Sequence, residues 1–288
     1  NIIPEINARD NWKSLKGFFF NNKPLQFRIF KDIEDPNYNQ VFFMPIVEYN
    51  NIYDGLTLGV KAYNKTLLRK HFNYKFEPKY SIKSKSFTGT ANVFNIHDFE
   101  NSNLYSLDYG IRGSYSAYAP ELFVKQITPY VSFFFREKDD LRSNKRKRLL
   151  LRYLDINRDE DVNNIVNSSE PNYNVFNVRY TDSNDNLINY NSWYTDFQLG
   201  KTFTKLSFDY EYRRLYENNR QLNLRWFSGI FLRNTNEVDS DYFSFALDRP
   251  TDYLFDYNYL GRSESTGIFS QQYIEAEGGF KSKLNPAF

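Results

Sequence analysis

The chain has no cysteine and only two histidines in 288 residues. Absence of cysteine removes both a disulfide framework and thiol catalysis, and it is compatible with an oxidising compartment, where a free thiol is a liability. The histidines, His71 and His97, come with no HExxH helix and no third-ligand glutamate, so a zinc peptidase site cannot be built within this chain. They read as surface or strand-end residues. Hydrolysis by a histidine paired with serine or aspartate is disfavoured too, because no serine motif surrounds either one. Long hydrophobic runs are also missing. A membrane-spanning helix needs roughly 18 to 20 consecutive apolar residues, and the longest runs, such as residues 131–135, contain about five and are interrupted by serine. That excludes a helical membrane protein. Charge of one sign is lacking as well: 37 basic and 35 acidic residues give +2 and are interspersed, which leaves no polyanion footprint and makes nucleic acid an unexpected partner. The first residues, Asn1-Ile2-Ile3-Pro4-Glu5, carry neither an initiator methionine nor the regions of a secretory signal, so a mature or internal segment of a longer protein is expected.

What the chain has in excess is aromatic residues, 19% with 24 tyrosines and 28 phenylalanines. These favour strands because they fit a pleated surface, and tyrosine and tryptophan favour membrane interfaces because one end of the ring is apolar and the other wet. A mean hydropathy of −0.68 is no obstacle, since a barrel strand shows only alternate residues to lipid and turns the others to a polar lumen.

Alternation is the recurring pattern. In Leu56-Thr57-Leu58-Gly59-Val60-Lys61-Ala62-Tyr63 the even positions are apolar and the odd ones mostly polar or small. The same holds for residues 72–77, 206–213 and 222–226, with the charged residues always on the second face. Predicted strands at 104–118, 126–136, 188–203, 205–215 and 221–233 are long enough for a tilted crossing, which takes roughly 9 to 11 residues. Shorter candidates are 25–31, 41–49, 87–95, 148–154, 175–181, 242–247 and 272–281. The fold class is therefore all-β, a transmembrane antiparallel barrel with roughly 12 to 14 strands in this segment, even numbers being favoured. Tight turns are expected at Thr204-Lys205 and Glu217-Asn218-Asn219, and long loops at 137–147, 155–174 and 248–270, as in a barrel with short turns on one side and long loops on the other. Residues 1–22 read as a linker or lumen-entry segment and 23–288 as the barrel. No repeat of fixed period points to a propeller or solenoid.

Three segments carry candidate chemistry. Asp155-Ile156-Asn157-Arg158-Asp159-Glu160-Asp161 starts like a calcium loop but has Glu160 at the glycine position and Val166 at the final glutamate position, which favours a solvated acidic loop. Lys145-Arg146-Lys147-Arg148, beside Leu149-Leu150-Leu151, suits either a headgroup layer pairing with lipid phosphates or a solvated loop end. Ile111-Arg112-Gly113-Ser114-Tyr115 faintly matches the arginine-glycine-aromatic motif of barrel insertases, but it lies inside an alternating strand. No catalytic, cofactor-binding or metal-binding residue is nominated.

Several stretches carry a resemblance: Lys23-Pro24-Leu25-Gln26-Phe27-Arg28, Tyr53-Asp54-Gly55-Leu56, Asn64-Lys65-Thr66-Leu67-Leu68, Asn218-Asn219-Arg220-Gln221-Leu222-Asn223-Leu224-Arg225, and Phe243-Ser244-Phe245-Ala246-Leu247-Asp248-Arg249-Pro250-Thr251-Asp252-Tyr253. Together these resemble the C-terminal outer-membrane barrel region of aminopeptidase-N-like (gluzincin) zinc metallopeptidases of Gram-negative bacteria. The resemblance covers nearly the whole chain and implies a soluble peptidase domain before this region. It also implies further strands after Glu277-Gly278-Gly279-Phe280, so that the segment stops before its barrel closes; Phe288 suits a barrel's last residue, but Asn285-Pro286-Ala287 makes a poor final strand. The expected function is a bacterial outer-membrane barrel that anchors, displays or exports an associated domain or partner. Its partners would be outer-membrane lipid and an attached or associated periplasmic or surface domain, with no cofactor and no enzyme activity within this chain. The alternatives are a soluble aromatic-rich β domain binding carbohydrate, which predicts short strands with aromatics gathered on one face, and an insertase or transport component.

Overall fold

The computed structural model describes residues 23–30, 33–35, 37–51, 53–64, 70–100, 102–137, 143–160 and 172–235, and the backbone of 273–275 and 281–283. Among the described residues the alternating runs are strands and there is no helix. Twelve strands lie in one sheet in chain order: β1 (Leu25–Ile29), β2 (Asn39–Tyr49), β3 (Leu56–Tyr63), β4 (Phe72–Ser81), β5 (Phe87–Asp98), β6 (Leu104–Ala119), β7 (Leu122–Phe135), β8 (Lys145–Arg158), β9 (Tyr173–Asn184), β10 (Asn189–Gly200), β11 (Phe203–Leu215) and β12 (Gln221–Asn234). A separate pair, β13 (Tyr273–Glu275) and β14 (Lys281–Lys283), is antiparallel. Neighbouring strands from β2 to β5 and from β7 to β12 pair antiparallel, and β1 runs parallel to β2. Among the described residues the sheet ends at β1 and β12 and does not close. The expected linker at 1–22 and the expected strand at 242–247 lie outside the described residues.

From β2 to β12 the strands run from 8 residues in β3 to 16 in β6, long for a soluble sheet, whose strands average about five or six. No helix among the described residues is long and apolar enough to cross a membrane, which says nothing about crossing by strands.

The chain divides into two compact units, Asn1–Ile96 with Gly110–Phe123, and His97–Tyr109 with Val124–Phe288. In the first unit, Gly55 closes the β2–β3 turn at φ 67, a left-handed conformation that a side chain resists. Gly59 of β3 serves a close approach: a Cβ there would meet the Pro78 carbonyl at 2.3 Å and the Lys79 side chain at 2.8 Å. The bare backbone thus lets Lys79 lie across β3 and pair with Glu48.

In the second unit the turn expected at Thr204-Lys205 falls instead at residues 201–202, and β11 already runs from Phe203. A hydrophilic pair resembles a turn, but here Lys205 is an interior residue, 1% exposed, facing Gln198 across the ladder. Residues 155–158 likewise belong to β8 rather than to a loop. Loop lengths do not sort by end in this unit: the two-residue 201–202 turn shares an end with the 159–172 connection, because β8 to β11 alternate in direction.

Candidate functional site

The feature of functional interest is the sheet itself, which is inside out. Among the described residues the buried polar and charged side chains outnumber the buried hydrophobic ones, while large apolar side chains are exposed along nearly every strand. A water-soluble domain does the reverse, because apolar area removed from water is its main stabilisation.

In the second unit, register turns this into rows. On the outer face one row reads Leu151, Val178, Phe197, Leu206, Ile230 across β8 to β12. Immediately behind it, one residue along each strand, the inner row reads Arg152, Asn177, Gln198, Lys205. An outer row nearer the β11–β12 turn carries Trp193, Tyr210 and Trp226. Tyr180, Trp193, Phe208 and Trp226 form a chain of ring contacts at 5.4, 6.0 and 6.3 Å across the outer face. Outward apolar positions on β12 run from Leu222 to Leu232. At about 3.3 Å per residue that stretch is roughly 33 Å long.

The inner rows are charged in the middle and apolar at one end. Arg179 Nε donates to Asp196 Oδ2 at 2.6 Å, and Gln198 Nε2 donates to Asp196 Oδ1 at 2.6 Å. Arg152 Nε donates to Asn177 Oδ1 at 2.7 Å, Arg148 donates to the Ser132 hydroxyl at 2.8 Å, and Arg225 pairs with Asp209. Buried charges need such partners, since desolvation costs several kcal/mol per ion, of order. Toward the 201–202 turn the inner face changes to Leu154, Ile156, Tyr173, Val175 and Phe203, with Val124 and Phe231 packed against them. This is the hydrophobic cluster of the unit.

The first unit repeats the pattern. Val47, Leu58, Tyr80 and Phe87 form an outward row, and Asn73, Lys75, Glu77, Lys79 and Ser81 alternate on the inner face of β4. Its turns are tied by Asp54, which is fully buried. The Asp54 carboxylate accepts from Asn50 Nδ2 at 2.7 Å, Asn51 Nδ2 at 3.2 Å, Ser84 Oγ at 3.0 Å and the Ala117 amide at 3.2 Å. Its carbonyl accepts from the Ser81 hydroxyl at 2.5 Å. One carboxylate thus joins the β2–β3 turn, the β4–β5 turn and the end of β6, which sequence reading did not foresee.

The sequence candidates fall as follows. His71 Nδ1 lies 3.0 Å from the Ile96 carbonyl, and the His97 ring meets Phe99 edge-on at 4.7 Å. Residues 155–158 are extended, so the first ligand positions of a calcium loop do not curl around a common point; Asp161 lies outside the described residues. The motif at 111–115 is within β6. The basic run opens β8 and is matched by acids: Lys145 and Lys147 each lie 3.0 Å from Glu137, with Asp182 3.8 Å from Lys147 and Asp185 3.9 Å from Arg146. Hydrogen bonds from Lys147 and then Lys145 hold the Glu137 carboxyl below its ordinary range. Acids thus flank Lys145, Arg146 and Lys147, while Arg148 donates to Ser132.

Compared with known proteins, the chain matches no family model, no curated protein and no solved structure.

Proposed function

We propose that this chain is a β-barrel of a Gram-negative outer membrane, which anchors, displays or exports an associated domain or partner. The observation that carries the reading is the pair of back-to-back rows, Leu151-Val178-Phe197-Leu206-Ile230 outside and Arg152-Asn177-Gln198-Lys205 inside. An apolar outer face and a polar inner one suit a sheet whose exterior solvent is hydrocarbon and whose interior is wet. In such a setting the β1 and β12 edges need pairing partners, because an open sheet edge in lipid leaves backbone groups unsatisfied. Strand length agrees with this: at a tilt of about 40° the outward apolar stretch of β12 would cover roughly 25 Å, the height of a barrel's lipid-facing band. Aromatic side chains on both faces, such as Trp226 outside and Tyr194 inside, argue against a single sugar-stacking platform. The resemblance to the barrel region of zinc metallopeptidases makes a tethered peptidase domain the favoured cargo, with the chemistry carried by that domain and the mount by this one.

The test is expression with a signal peptide in a Gram-negative host, followed by fractionation and comparison of boiled with unboiled mobility in detergent gels. Recovery in the outer membrane with heat-modifiable mobility is the expected result. A soluble monomer that needs no detergent would overturn the proposal and favour the carbohydrate-binding alternative.

A further inference from the structure

The apolar height of the outer face is uneven within the second unit. On β8 the outward residues are Leu149, Leu151 and Tyr153, and the next outward positions in either direction are charged, Lys147 and Asp155. β9 matches this in register: Phe176, Val178 and Tyr180 face outward, bounded by Asn174 opposite Asp155 and by Asp182 opposite Lys147. Nearby strands are apolar over a longer stretch. β7 turns Ile127, Val131, Phe133 and Phe135 outward, with Ile127 level with Asp155 and Phe135 level with Lys147. β12 carries no charge on its outward positions from Leu222 to Ile230.

Both limits of the short band are polar for a reason that local pairing makes plain. At one limit Lys147 lies 3.0 Å from Glu137 and 3.8 Å from Asp182, and at the other Asp155 Oδ2 accepts from Asn157 Nδ2 at 3.0 Å. Ionised groups of this kind belong with water or lipid headgroups and are strongly disfavoured in hydrocarbon. Lys147 and Asp155 are eight residues apart on β8. At about 3.3 Å per residue and a barrel tilt of about 40°, that separation is roughly 20 Å of depth, against about 25 Å for the usual lipid-facing band and about 30 Å for the hydrocarbon of a bilayer.

We infer that β8 and β9 form a bilayer-thinning sector, whose outer face takes phospholipid with compressed or short acyl chains, so that headgroups reach the Lys147 and Asp182 row at one end and the Asp155 and Asn174 row at the other. The inference rests on the barrel reading, which makes the outer face the lipid side. An apolar band shorter than the bilayer is met by thinning the lipid or by covering the band with protein. Lipid is the occupant here because the row Val131, Leu151, Val178, Phe197, Leu206 and Ile230 runs through the sector without a break. Beside β8 and β9 the hydrocarbon is thinnest, and a polar segment crossing the membrane there meets the shortest apolar path.

The experiment folds the full chain into thin dilauroyl and thick dioleoyl phosphatidylcholine vesicles, and measures the folding equilibrium by urea titration read from gel mobility. The variant is Asp155→Leu with Asn174→Leu, which carries the apolar face one row further on both strands, level with Ile127, and adds about 5 Å of depth. In dioleoyl vesicles the variant is expected to fold about tenfold more favourably than wild type, and in dilauroyl vesicles within about twofold of it. No gain in dioleoyl vesicles, or the same gain in both lipids, overturns the inference and leaves the barrel standing. A spin label at Val178→Cys in the otherwise wild-type chain is expected to collide freely with oxygen and little with a water-soluble nickel complex. Low collision with both shows a second copy or another protein surface over the sector and overturns the inference as well. Wild-type protein that enters neither lipid and shows no heat-modifiable mobility removes the barrel and the inference together.

Discussion

Replacing Val60 with arginine separates lipid from water as the solvent of the outer face. Val60 lies mid-strand in β3, points outward with Leu56 and Leu58, and is 43% exposed. It fills no core, so no cavity is created by changing it. If the outer face met water, arginine there would alter stability by about 0.5 kcal/mol or less, as exposed substitutions do. If it meets hydrocarbon near mid-depth, the cost is roughly 2 to 4 kcal/mol, or roughly 30- to 900-fold in the folding equilibrium. The assay is reversible urea unfolding and refolding in phospholipid vesicles, read from the shift between unfolded and folded gel mobility. Thr90→Arg supplies the control, because Thr90 is an exposed residue on the inner face of β5, 2.8 Å from Glu77 Oε2, and a cation there gains a carboxylate neighbour. A Val60→Arg variant as stable in vesicles as the Thr90→Arg control would refute the assignment of faces.

Three further outcomes follow from the geometry. Asp54→Ala leaves the donors of Asn50, Asn51, Ser84 and Ala117 without their shared acceptor and is expected to cost about 3 to 5 kcal/mol in the same assay, with Asp54→Asn costing less. Arg179→Ala strands the buried Asp196 carboxylate, at a cost of about 3 to 5 kcal/mol, and adding Asp196→Ala should recover a large part of it; no recovery would show that the two side chains do not act as a pair. Glu137 is held below its ordinary value of 4.5 by Lys147 and Lys145, so its contribution is present above that value and is lost as pH falls through the lower folded value. Stability followed downward from pH 5 should therefore fall less steeply in Glu137→Gln than in the wild type.

Alternation made the strands legible but not what lies between or across them. The predicted run 56–63 is β3 to the residue, and 221–233 is β12 less one residue. Polarity misled at the turns for a physical reason: in an inside-out sheet the hydrophilic residues are the interior, so Thr204-Lys205 and the acidic start at Asp155 looked like loop although both are strand. Asn219, at φ 58 in the β11–β12 turn, was found where expected, because asparagine tolerates the left-handed region. The candidate site was half visible. A single strand shows that Lys205 and Asp209 share a face, but only register places Arg179 beside Asp196 or Gln198 beside Asn177. The Asp54 knot joins segments 30 and 63 residues away, beyond the reach of any local pattern, although Tyr53-Asp54-Gly55-Leu56 is one of the stretches that carried the family resemblance.

The central claim is that one face of this sheet meets hydrocarbon and the other water, and the cysteine-free chain suits a direct measurement. Single cysteines at Tyr74→Cys, Lys75→Cys, Phe76→Cys and Glu77→Cys on β4, spin-labelled and reconstituted in phospholipid vesicles, report collision with oxygen and with a water-soluble nickel complex. A two-residue period is expected, with oxygen highest at 74 and 76 and nickel highest at 75 and 77. Nickel access equal at all four positions, or highest at 74 and 76, would contradict the account.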